Sequence, residues 1–393
     1  MGQMEITKDI FFVGVNDHDV DLFEGHYIVP EGMAYNSYVI NDEKTAVMDS
    51  VDGGFTDEWI GNIKAVLGDR NPDYLIIQHM EPDHSGSIMG FMEAFPGATI
   101  VSSQKAFGMM KNFFEGEDFA DRRVVVKEGD VLELGSHVLN FIAAPMVHWP
   151  EVIMTYDSTD KVLFSADGFG KFGAHDKADP DDWACEARRY YFGIVGKYGM
   201  QVQAVLKKAA SLDIQIICPL HGPVLDKNLG YYLDLYNTWS SYGSETKGVV
   251  ISYTSVYGHT KAAVELLASK LEEKGVPEVV VNDLARSDIA ECVEDGFRYD
   301  TQVFATTTFN NDIFPFMKEY IHHLTERNYQ NKTVAFVENG SWAPVATKTM
   351  KTMLEGCKNL THAENSVKIV SALNDESRTQ IEVLAEELAA LYR

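Results

Sequence analysis

The chain has 393 residues, which is too long for one ordinary hydrophobic core and predicts two domains. Hydrophobic residues make up 45% and charged residues 23%, a composition typical of globular proteins and not of disordered ones. The formal net charge of −26 argues against binding to nucleic acid or to an anionic membrane surface, because both would repel the chain.

The cysteines and the N-terminus indicate the compartment. The four cysteines include no CxxC pair, so they predict neither a disulfide framework nor an iron–sulfur motif. The first residues, MGQMEITKDIFF, contain no basic segment followed by an apolar core, as a secretory signal would. No apolar run approaches the roughly 18 residues that a membrane span requires. We therefore expect a cytoplasmic protein that does not cross a membrane.

The first half of the chain predicts hairpins and helices in succession. Strands are expected at 36–40 and 45–49, joined as a hairpin, and a helix and a buried strand follow at 56–67 and 74–78. Further hairpins are expected within 122–165. Strands followed by helices, twice over, predict two packed sheets with helices outside, an αββα sandwich. The pattern changes near residue 245, which predicts domains at 1–243 and 247–393.

The second half predicts a regular alternation of strands and helices. Strands are expected at 249–253, 279–282, 303–306, 333–337 and 367–369, with helices at 260–274, 315–326, 346–357 and 376–391. The first of these helices places Ala263, Leu267 and Leu271 on one face, and Gly275 ends it. Five strands that alternate with helices predict a doubly wound parallel sheet.

Side chains that can bind metals follow several predicted strands. His79, Glu81, Asp83 and His84 stand together directly after the strand at 74–78, and Pro82 predicts that they lie on a loop. Further candidates follow the strand-like runs 141–147, 162–164 and 214–218; they are His148, Asp167 and His221. Strand ends can meet on one rim of a sandwich. Four imidazoles and three carboxylates suit two metal ions with mixed nitrogen and oxygen coordination, and Asp167 is our choice for a bridging carboxylate.

A single histidine at a strand end is more often a hydrogen-bonded structural residue than a ligand. This is our interpretation of His18, His137, His175, His322, His323 and His362. His26, in an early loop, is either an ordinary loop histidine or a hydrogen-bond partner of a ligand. The cluster at 79–84 fits a structural role poorly, because buried carboxylates without partners are costly.

The ligand pattern resembles a known fold. HxExDH, a later histidine and aspartate, and a final histidine in CPLHGP resemble the metallo-β-lactamase fold. Hydrolases of that fold usually carry HxHxDH. Glu81 in place of the second histidine makes the chain similar to the flavodiiron proteins (A-type flavoproteins), and a carboxylate there favours iron over zinc. The resemblance implies a di-iron centre in which His79, Glu81 and His148 hold one iron, Asp83, His84 and His221 hold the other, and Asp167 bridges them.

Polar loops follow three predicted strands of the second domain. The first loop is rich in hydroxyl groups and opens a helix, an arrangement that binds phosphate. It resembles the FMN phosphate loop of flavodoxins and lacks the GxGxxG pattern of dinucleotide sites. In flavodoxin-like proteins the other two loops flank the isoalloxazine ring, on which Trp342 could stack. The predicted FMN-binding residues are Ser252, Thr254, Ser255, Val256, Tyr257, Gly258, His259, Thr260, Thr306, Thr307, Thr308, Phe309, Asn310, Asn311, Asn339, Gly340, Ser341 and Trp342.

The resemblance covers nearly the whole chain and implies the two-domain class, without an appended rubredoxin-like domain. It implies that electrons pass from FMN to two iron ions, which reduce O2 to water, NO to N2O, or both. The donor would be a separate rubredoxin, flavin reductase or reduced deazaflavin. A head-to-tail homodimer, or a dimer of dimers, would bring each flavin to its partner's iron. Tyr190 or Tyr191 could supply a proton or a hydrogen bond.

Two other functions stay open at this point. One is a zinc-dependent hydrolase of the metallo-β-lactamase fold fused to a flavodoxin-like electron-transfer module, which Glu81 and the number of carboxylates oppose. The other is an electron carrier whose first domain is only structural, which the complete ligand set opposes. The residues do not decide between O2 and NO, nor whether His84 binds iron.

Overall fold

The computed structural model describes residues 4–177 and 182–393, and it divides into two compact units, Met1–Asn237 and Thr238–Arg393. The division falls within the helix Leu229–Ser240, whereas the sequence pattern placed the boundary a few residues later. The exact limits of the two domains remain a prediction.

The first unit contains two sheets that share one hydrophobic core. Ile40 and Met48 from one sheet belong to the same buried cluster as Phe141 and Phe164 from the other. The larger sheet contains, in spatial order, Met4–Glu5, Ile10–Phe12, Tyr38–Asn41, Thr45–Met48, Tyr74–Ile76, Thr99–Ser103 and Arg123–Val126. The smaller sheet contains Val131–Glu133, Val138–Ala143, Ile153–Asp157, Val162–Phe164 and Ile216–Cys218. The predicted sandwich is confirmed.

The strand directions bring several carboxyl ends to the same edge of each sheet. Thr45–Met48 and Tyr74–Ile76 run parallel to each other. In the smaller sheet, Val162–Phe164 runs parallel to Ile216–Cys218. The segments that carry the candidate ligands follow these ends, so the pairing positions the site. Two small pairs complete the strands: Val15–Asp17 with Met33–Tyr35, and Leu22–Phe23 with Tyr27–Ile28.

The helices of the first unit bury one apolar face. In the helix Thr56–Leu67 this face is formed by Trp59, Ile63 and Leu67. The helical segments are Gly53–Phe55, Thr56–Leu67, Pro82–Ser85, Ile88–Ala94, Gln104–Phe113, Trp183–Tyr190, Tyr191–Val195, Gly196–Tyr198, Gly199–Ala209 and Leu229–Ser240, the last of which extends into the second unit. Within the described part of the chain, no helix is both long and apolar enough to cross a bilayer.

The structure corrects three expectations for the first half. Pro82 does not prevent a helix: it occupies the first position of Pro82–Ser85, where its missing N–H group would have had no helical partner. The strand before His148 is Val138–Ala143, and residues 144–147 form a turn. Arg123–Val126 belongs to no hairpin and pairs parallel with Thr99–Ser103, because an apolar run does not reveal its pairing partner.

The main sheet of the second unit is parallel, as predicted. Its spatial order is Val279–Asp283, Thr246–Tyr253, Tyr299–Phe309, Thr333–Asn339 and Val367–Ile369. Thr361–His362 and Asp312–Ile313 are short additions. The helical segments are His259–Glu273, Ile289–Arg298, Pro315–Glu326, Ala346–Leu354, Asp375–Ala389 and Ala390–Tyr392. The order 2-1-3-4-5 creates a switch point beside the first strand, where open α/β sheets bind ligands.

Two helices of this unit differ from the prediction. Ile289–Arg298 was not predicted, although Asp288 caps it by accepting a hydrogen bond from Ala290 N. The predicted helix at 346–357 already ends at Leu354. Gly275 follows His259–Glu273 as expected and adopts φ of 82°, a left-handed conformation that suits glycine after a helix.

Lys332 is buried in the second unit among oxygen acceptors. Its Nζ lies 2.5 Å from Phe297 O, 2.7 Å from Tyr299 O and 2.8 Å from Ser244 Oγ. Burial lowers the pKa of Lys332 to about 7. We expect Lys332→Met to lower the free energy of unfolding by about 2–4 kcal/mol, because each buried carbonyl left without a donor costs about 1–3 kcal/mol.

Urea unfolding of the Lys332→Met variant measures this loss. Lys348→Met, at an exposed position of Ala346–Leu354, makes the same chemical change where no buried acceptor is affected. Equal unfolding free energies for the two variants would contradict the assigned role of Lys332.

Candidate metal centre and cofactor cleft

The first unit brings the seven predicted ligands into two adjacent groups. His79, Glu81, His148 and Asp167 form one group, and Asp83, His84 and His221 form the other; in each group the ligand atoms lie within 4.8 Å of one another. Asp167 joins the groups. Its Oδ2 lies 3.2 Å from His79 Nε2 and 3.1 Å from His148 Nε2, and its Oδ1 lies 3.3 Å from His84 Nε2.

A short loop and one helical turn position the ligands nearest each other in sequence. The buried Asp49 carboxylate accepts hydrogen bonds from Gln78 N at 2.7 Å and from Gln78 Nε2 at 2.8 Å, which fixes the backbone before His79. The helix Pro82–Ser85 then carries Asp83 and His84. Ser50 Oγ donates to His84 O at 2.7 Å and anchors this helix from the neighbouring loop.

Hydrogen bonds orient two of the imidazole rings. His79 Nδ1 lies 2.8 Å from Glu151 Oε1, and His221 Nδ1 donates to Ala34 O at 2.8 Å. A carbonyl oxygen only accepts, so the lone pair of a neutral His221 lies on Nε2. That atom lies 3.0 Å from His84 Nε2. Either one proton shared in a hydrogen bond or a bound metal ion can occupy the space between these two nitrogens.

Buried oxygen atoms without hydrogen bonds fit a pair of metal ions. In the described structure both carboxylate oxygens of Asp83 and both of Asp167 are buried and take part in no hydrogen bond. Imidazole nitrogens lie 3.1–3.7 Å from these oxygens, but with geometry that does not make a hydrogen bond. Burial of such carboxylates is costly unless a cation compensates it. The mixed imidazole and carboxylate donors suit divalent iron.

Charge couples these groups strongly. Burial alone would favour neutral imidazole, but the Asp167 and Glu81 carboxylates outweigh it and raise the pKa of His148 to about 9. Burial opposes the charged form of His79 too, but the Asp167 carboxylate and its neighbours outweigh burial and raise the pKa of His79. The imidazoles in turn hold the pKa of the Asp167 carboxyl well below its usual range, against the effect of burial. Metal ions would take the place of these protons, so metal binding would release them.

Sequence reasoning missed three residues of the centre. Glu151 lies within hydrogen-bond distance of His79. Glu151 stands three residues after the ligand His148, in the sequence HWPE, and this proximity could have marked it as part of the centre. Asp49 looked only like the end of a strand. Glu24 lies on the hairpin turn between Leu22–Phe23 and Tyr27–Ile28, and desolvation together with the nearby Glu81 charge raises the pKa of Glu24 to about 7. No local pattern links Glu24 to the ligands.

Tyr190 lies against the centre, whereas Tyr191 packs against Tyr236. The Tyr190 ring lies 5.4 Å from the His221 ring, whereas the Tyr191 ring lies 5.2 Å from that of Tyr236. Burial, and then the charges of Asp167 and Asp83, raise the pKa of Tyr190 well above its usual range. His26 is exposed and lies beside the Tyr27 ring at 3.9 Å, outside the two ligand groups.

Glu151 provides a test of how the ligands are held. We expect Glu151→Gln to lower iron affinity by about 10- to 100-fold, because such losses follow when a ligand histidine loses its carboxylate partner. The measurement is the concentration of a chelator that removes half of the iron. Glu93→Gln, at an exposed position of Ile88–Ala94, is the matched control. The same chelator midpoint in both variants would refute the role given to Glu151.

The second unit contains a cleft of about 610 Å³ at the carboxyl ends of its strands. Most predicted FMN contacts line it: Ser255, Val256, Tyr257, His259, Thr260, Thr307, Thr308, Phe309, Asn310, Asn311, Asn339, Gly340, Ser341 and Trp342. Ala343 and Ser371, which were not predicted, also line the cleft. Ser371 follows Val367–Ile369, the last strand of the sheet, and lies outside the three predicted loops.

The remaining predicted contacts lie outside the cleft lining; they are Ser252, Thr254, Gly258 and Thr306. The hydroxyl groups of Thr254 and Thr306 are buried and hydrogen-bond to each other at 2.6 Å. Ser252 Oγ accepts a hydrogen bond from Gln302 Nε2 at 3.2 Å. Gly258 adopts φ of 88°, which turns the loop into the helix His259–Glu273. These residues therefore support the loops through buried hydrogen bonds and a glycine turn.

The cleft fits a phosphorylated aromatic ligand. Trp342 is 82% exposed and Tyr257 is 90% exposed, and such large rings at a cleft can cover a planar ligand. Ser255 Oγ accepts hydrogen bonds from Gly258 N at 3.1 Å and from Lys261 N at 3.2 Å. Two N–H groups at the start of the helix His259–Glu273 thus point towards the Ser255 hydroxyl. A phosphate group can accept hydrogen bonds from the same N–H groups, in place of this hydroxyl or beside it.

Comparisons with known proteins cover both units. A family model described as ODP family beta lactamase matches residues 33–222. A nitric oxide reductase from Moorella thermoacetica is 30% identical over 362 residues, which are 90% of each chain. The rubredoxin oxygen:oxidoreductase from Desulfovibrio gigas has a similar structure, with a TM-score of 0.91 and 25% identity over 99% of this chain and 98% of that one. The flavodiiron protein from Giardia intestinalis also has a similar structure. Its TM-score is 0.90 and its sequence identity 26%, over 99% of this chain and 97% of that one.

Proposed function

This chain belongs to the flavodiiron protein family, and we propose that it reduces O2, NO or both with electrons from FMN, at two iron ions. It is an oxidoreductase of the class that includes the nitric oxide reductase and the rubredoxin oxygen:oxidoreductase to which it is similar. The single observation that carries the proposal is the convergence of six nitrogen and oxygen ligands with Asp167, whose buried carboxylate oxygens make no hydrogen bond.

The ligands support iron over zinc. Glu81 supplies a carboxylate where the hydrolases of this fold usually have a histidine, and the centre holds Asp83 and Asp167 as well. Three carboxylates leave a net charge of about +1 on two divalent ions, which keeps them electrophilic and limits their mutual repulsion. A hydrolase would also have no use for the aromatic cleft in the second unit. The zinc hydrolase is therefore the weaker explanation.

Each ligand has a definite task in this proposal. One iron would be held by His79, Glu81 and His148, and the other by Asp83, His84 and His221. Asp167 would bind both. Two iron ions held in this way would supply electrons and open positions to a diatomic gas. The protein shields most of the centre from water, since His79 and His84 are fully buried. The Tyr190 ring lies beside the His221 ring, and burial keeps its hydroxyl protonated, so Tyr190 is a candidate hydrogen-bond donor near the centre.

FMN would occupy the cleft of the second unit. The helix His259–Glu273 would receive the phosphate, and Trp342 and Tyr257 would cover the ring. A separate rubredoxin, flavin reductase or reduced deazaflavin would provide the electrons in the cytoplasm. A head-to-tail homodimer, or a dimer of dimers, would bring each flavin to its partner's iron. A dilute monomer with full activity would refute the dimer.

The decisive experiment measures metal and flavin content after anaerobic purification, followed by mixing of the reduced protein with O2 and with NO. We expect two irons and one FMN per chain, and flavin oxidation by at least one gas that is much faster than that of free FMN. The faster gas identifies the preferred substrate. Zinc in place of iron, with oxidation no faster than that of free flavin, would favour the hydrolase instead.

A further inference from the structure

A small apolar cavity of about 30 Å³ lies in the first unit. No polar atom contributes to its wall. Val205 and Ala209 of the helix Gly199–Ala209 line one side, and Ile217 of the smaller sheet lines another. Tyr236 also lines it, but the Tyr236 hydroxyl accepts a hydrogen bond from Phe169 N at 2.5 Å.

Residues that are next to two of the metal ligands in the chain line the cavity. Val147 lines it and is the residue before His148; Gly168 and Phe169 line it and follow Asp167. The Phe169 ring stacks on Tyr236 at 4.1 Å between ring centroids. The negative charge of Asp167 also reaches Tyr236, whose pKa is raised by burial first and by Asp167 in addition. The residues that line the cavity are thus joined through the backbone to two of the candidate ligands, His148 and Asp167.

Size and polarity limit what this cavity can hold. It exceeds the roughly 10–15 Å³ that one water-sized sphere requires. Water also needs two to four polar partners, and the wall offers none. Cavities lined by apolar side chains can stay dry and accept apolar gases such as xenon. A diatomic molecule of low polarity therefore fits, whereas an ion, a peptide or a sugar does not.

The metal centre has little contact with bulk water. His79 and His84 are fully buried, and the Glu81 side chain is only 16% exposed. We propose that the cavity is a binding site for the gaseous substrate, which collects there before it reaches the metal ions between His148 and Asp167. This inference rests on the proposed function, because it assigns the cavity to the substrate of that reaction.

Xenon tests the binding site itself. Crystals of the iron- and FMN-loaded protein are pressurised with xenon, and the bound atoms are located by anomalous scattering. We expect one xenon atom within the cavity, in van der Waals contact with Phe169 and Val205. The absence of xenon from the cavity, or an ordered water molecule inside it, would overturn the inference.

A matched pair of variants tests the contribution to turnover. Ala209→Phe places a ring against the cavity, and Ala204→Phe makes the same change at an exposed position of the same helix. We expect Ala209→Phe to lose the bound xenon and to slow flavin oxidation at limiting gas by about 3- to 10-fold, with a smaller effect at saturating gas. Ala204→Phe is expected to match the wild type. Circular dichroism and iron content verify that both variants are folded and loaded.

The possible failures are distinguishable. If Ala209→Phe excludes xenon and leaves the rate at limiting gas unchanged, the cavity does not serve the substrate and the inference is wrong, while the proposed function stands. If the wild-type protein binds xenon but oxidises its flavin with neither gas, the proposed function fails, and the assignment of the cavity to its substrate fails with it.

Discussion

Asp167→Asn is expected to lower the iron content well below two per chain and to slow gas-dependent flavin oxidation by at least about 100-fold. Both carboxylate oxygens of Asp167 face imidazole nitrogens, one on each side of the centre. An amide keeps the shape but loses the negative charge and offers only one oxygen. Two divalent ions would then repel each other across a neutral bridge, and neither would be held firmly.

The flavin provides an internal control for this experiment. Because the flavin cleft lies in the second unit, Asp167→Asn should keep one FMN per chain if it is folded. Asp121→Asn, at an exposed position, makes the same substitution away from the ligands. Iron content is measured by elemental analysis and turnover by stopped-flow spectroscopy. Two tightly held irons with an unchanged rate would show that Asp167 does not bridge the metals.

The second large effect concerns FMN. We expect Ser255→Asp to raise the Kd of FMN by about 100-fold or more and to leave riboflavin affinity nearly unchanged. Unit charges about 5 Å apart repel by about 3 kcal/mol at an effective dielectric constant of about 20, and this corresponds to a factor of about 100 in Kd. The new carboxylate can still accept the hydrogen bonds from Gly258 N and Lys261 N, so the helix start is preserved.

Ser255→Asn separates charge from size, since it places a neutral side chain of the same shape in the loop. Fluorescence titration of the flavin-free protein with FMN and with riboflavin gives both dissociation constants. Equal losses of FMN and riboflavin affinity would indicate a damaged cleft and not a repelled phosphate. An unchanged Kd for FMN in Ser255→Asp would place the phosphate elsewhere and refute the assignment of this loop.

The sequence by itself determined the order of the elements and the chemistry of the ligands. The periodicity of the second half predicted the parallel sheet, because alternating strands and helices have few stable arrangements. The pattern from His79 to His84, with Glu81 in place of a histidine, identified the family and favoured iron. The loops at Ser255, Thr307 and Ser341 identified the cofactor cleft, since ligands of such sheets bind at strand ends.

Only the tertiary structure decided which groups hold the ligands and what surrounds them. Glu151 and Asp49 orient His79 and the backbone before it, and Glu24 reaches Glu81 from a distant hairpin. The structure also placed Pro82 at the start of a helix and formed an apolar cavity beside Val147 and Phe169. These contacts join segments far apart in the chain, and their formation depends on how the sheets pair and pack. Local propensity carries no information about such pairing, which is why the residues alone predicted the ligands but not their supports.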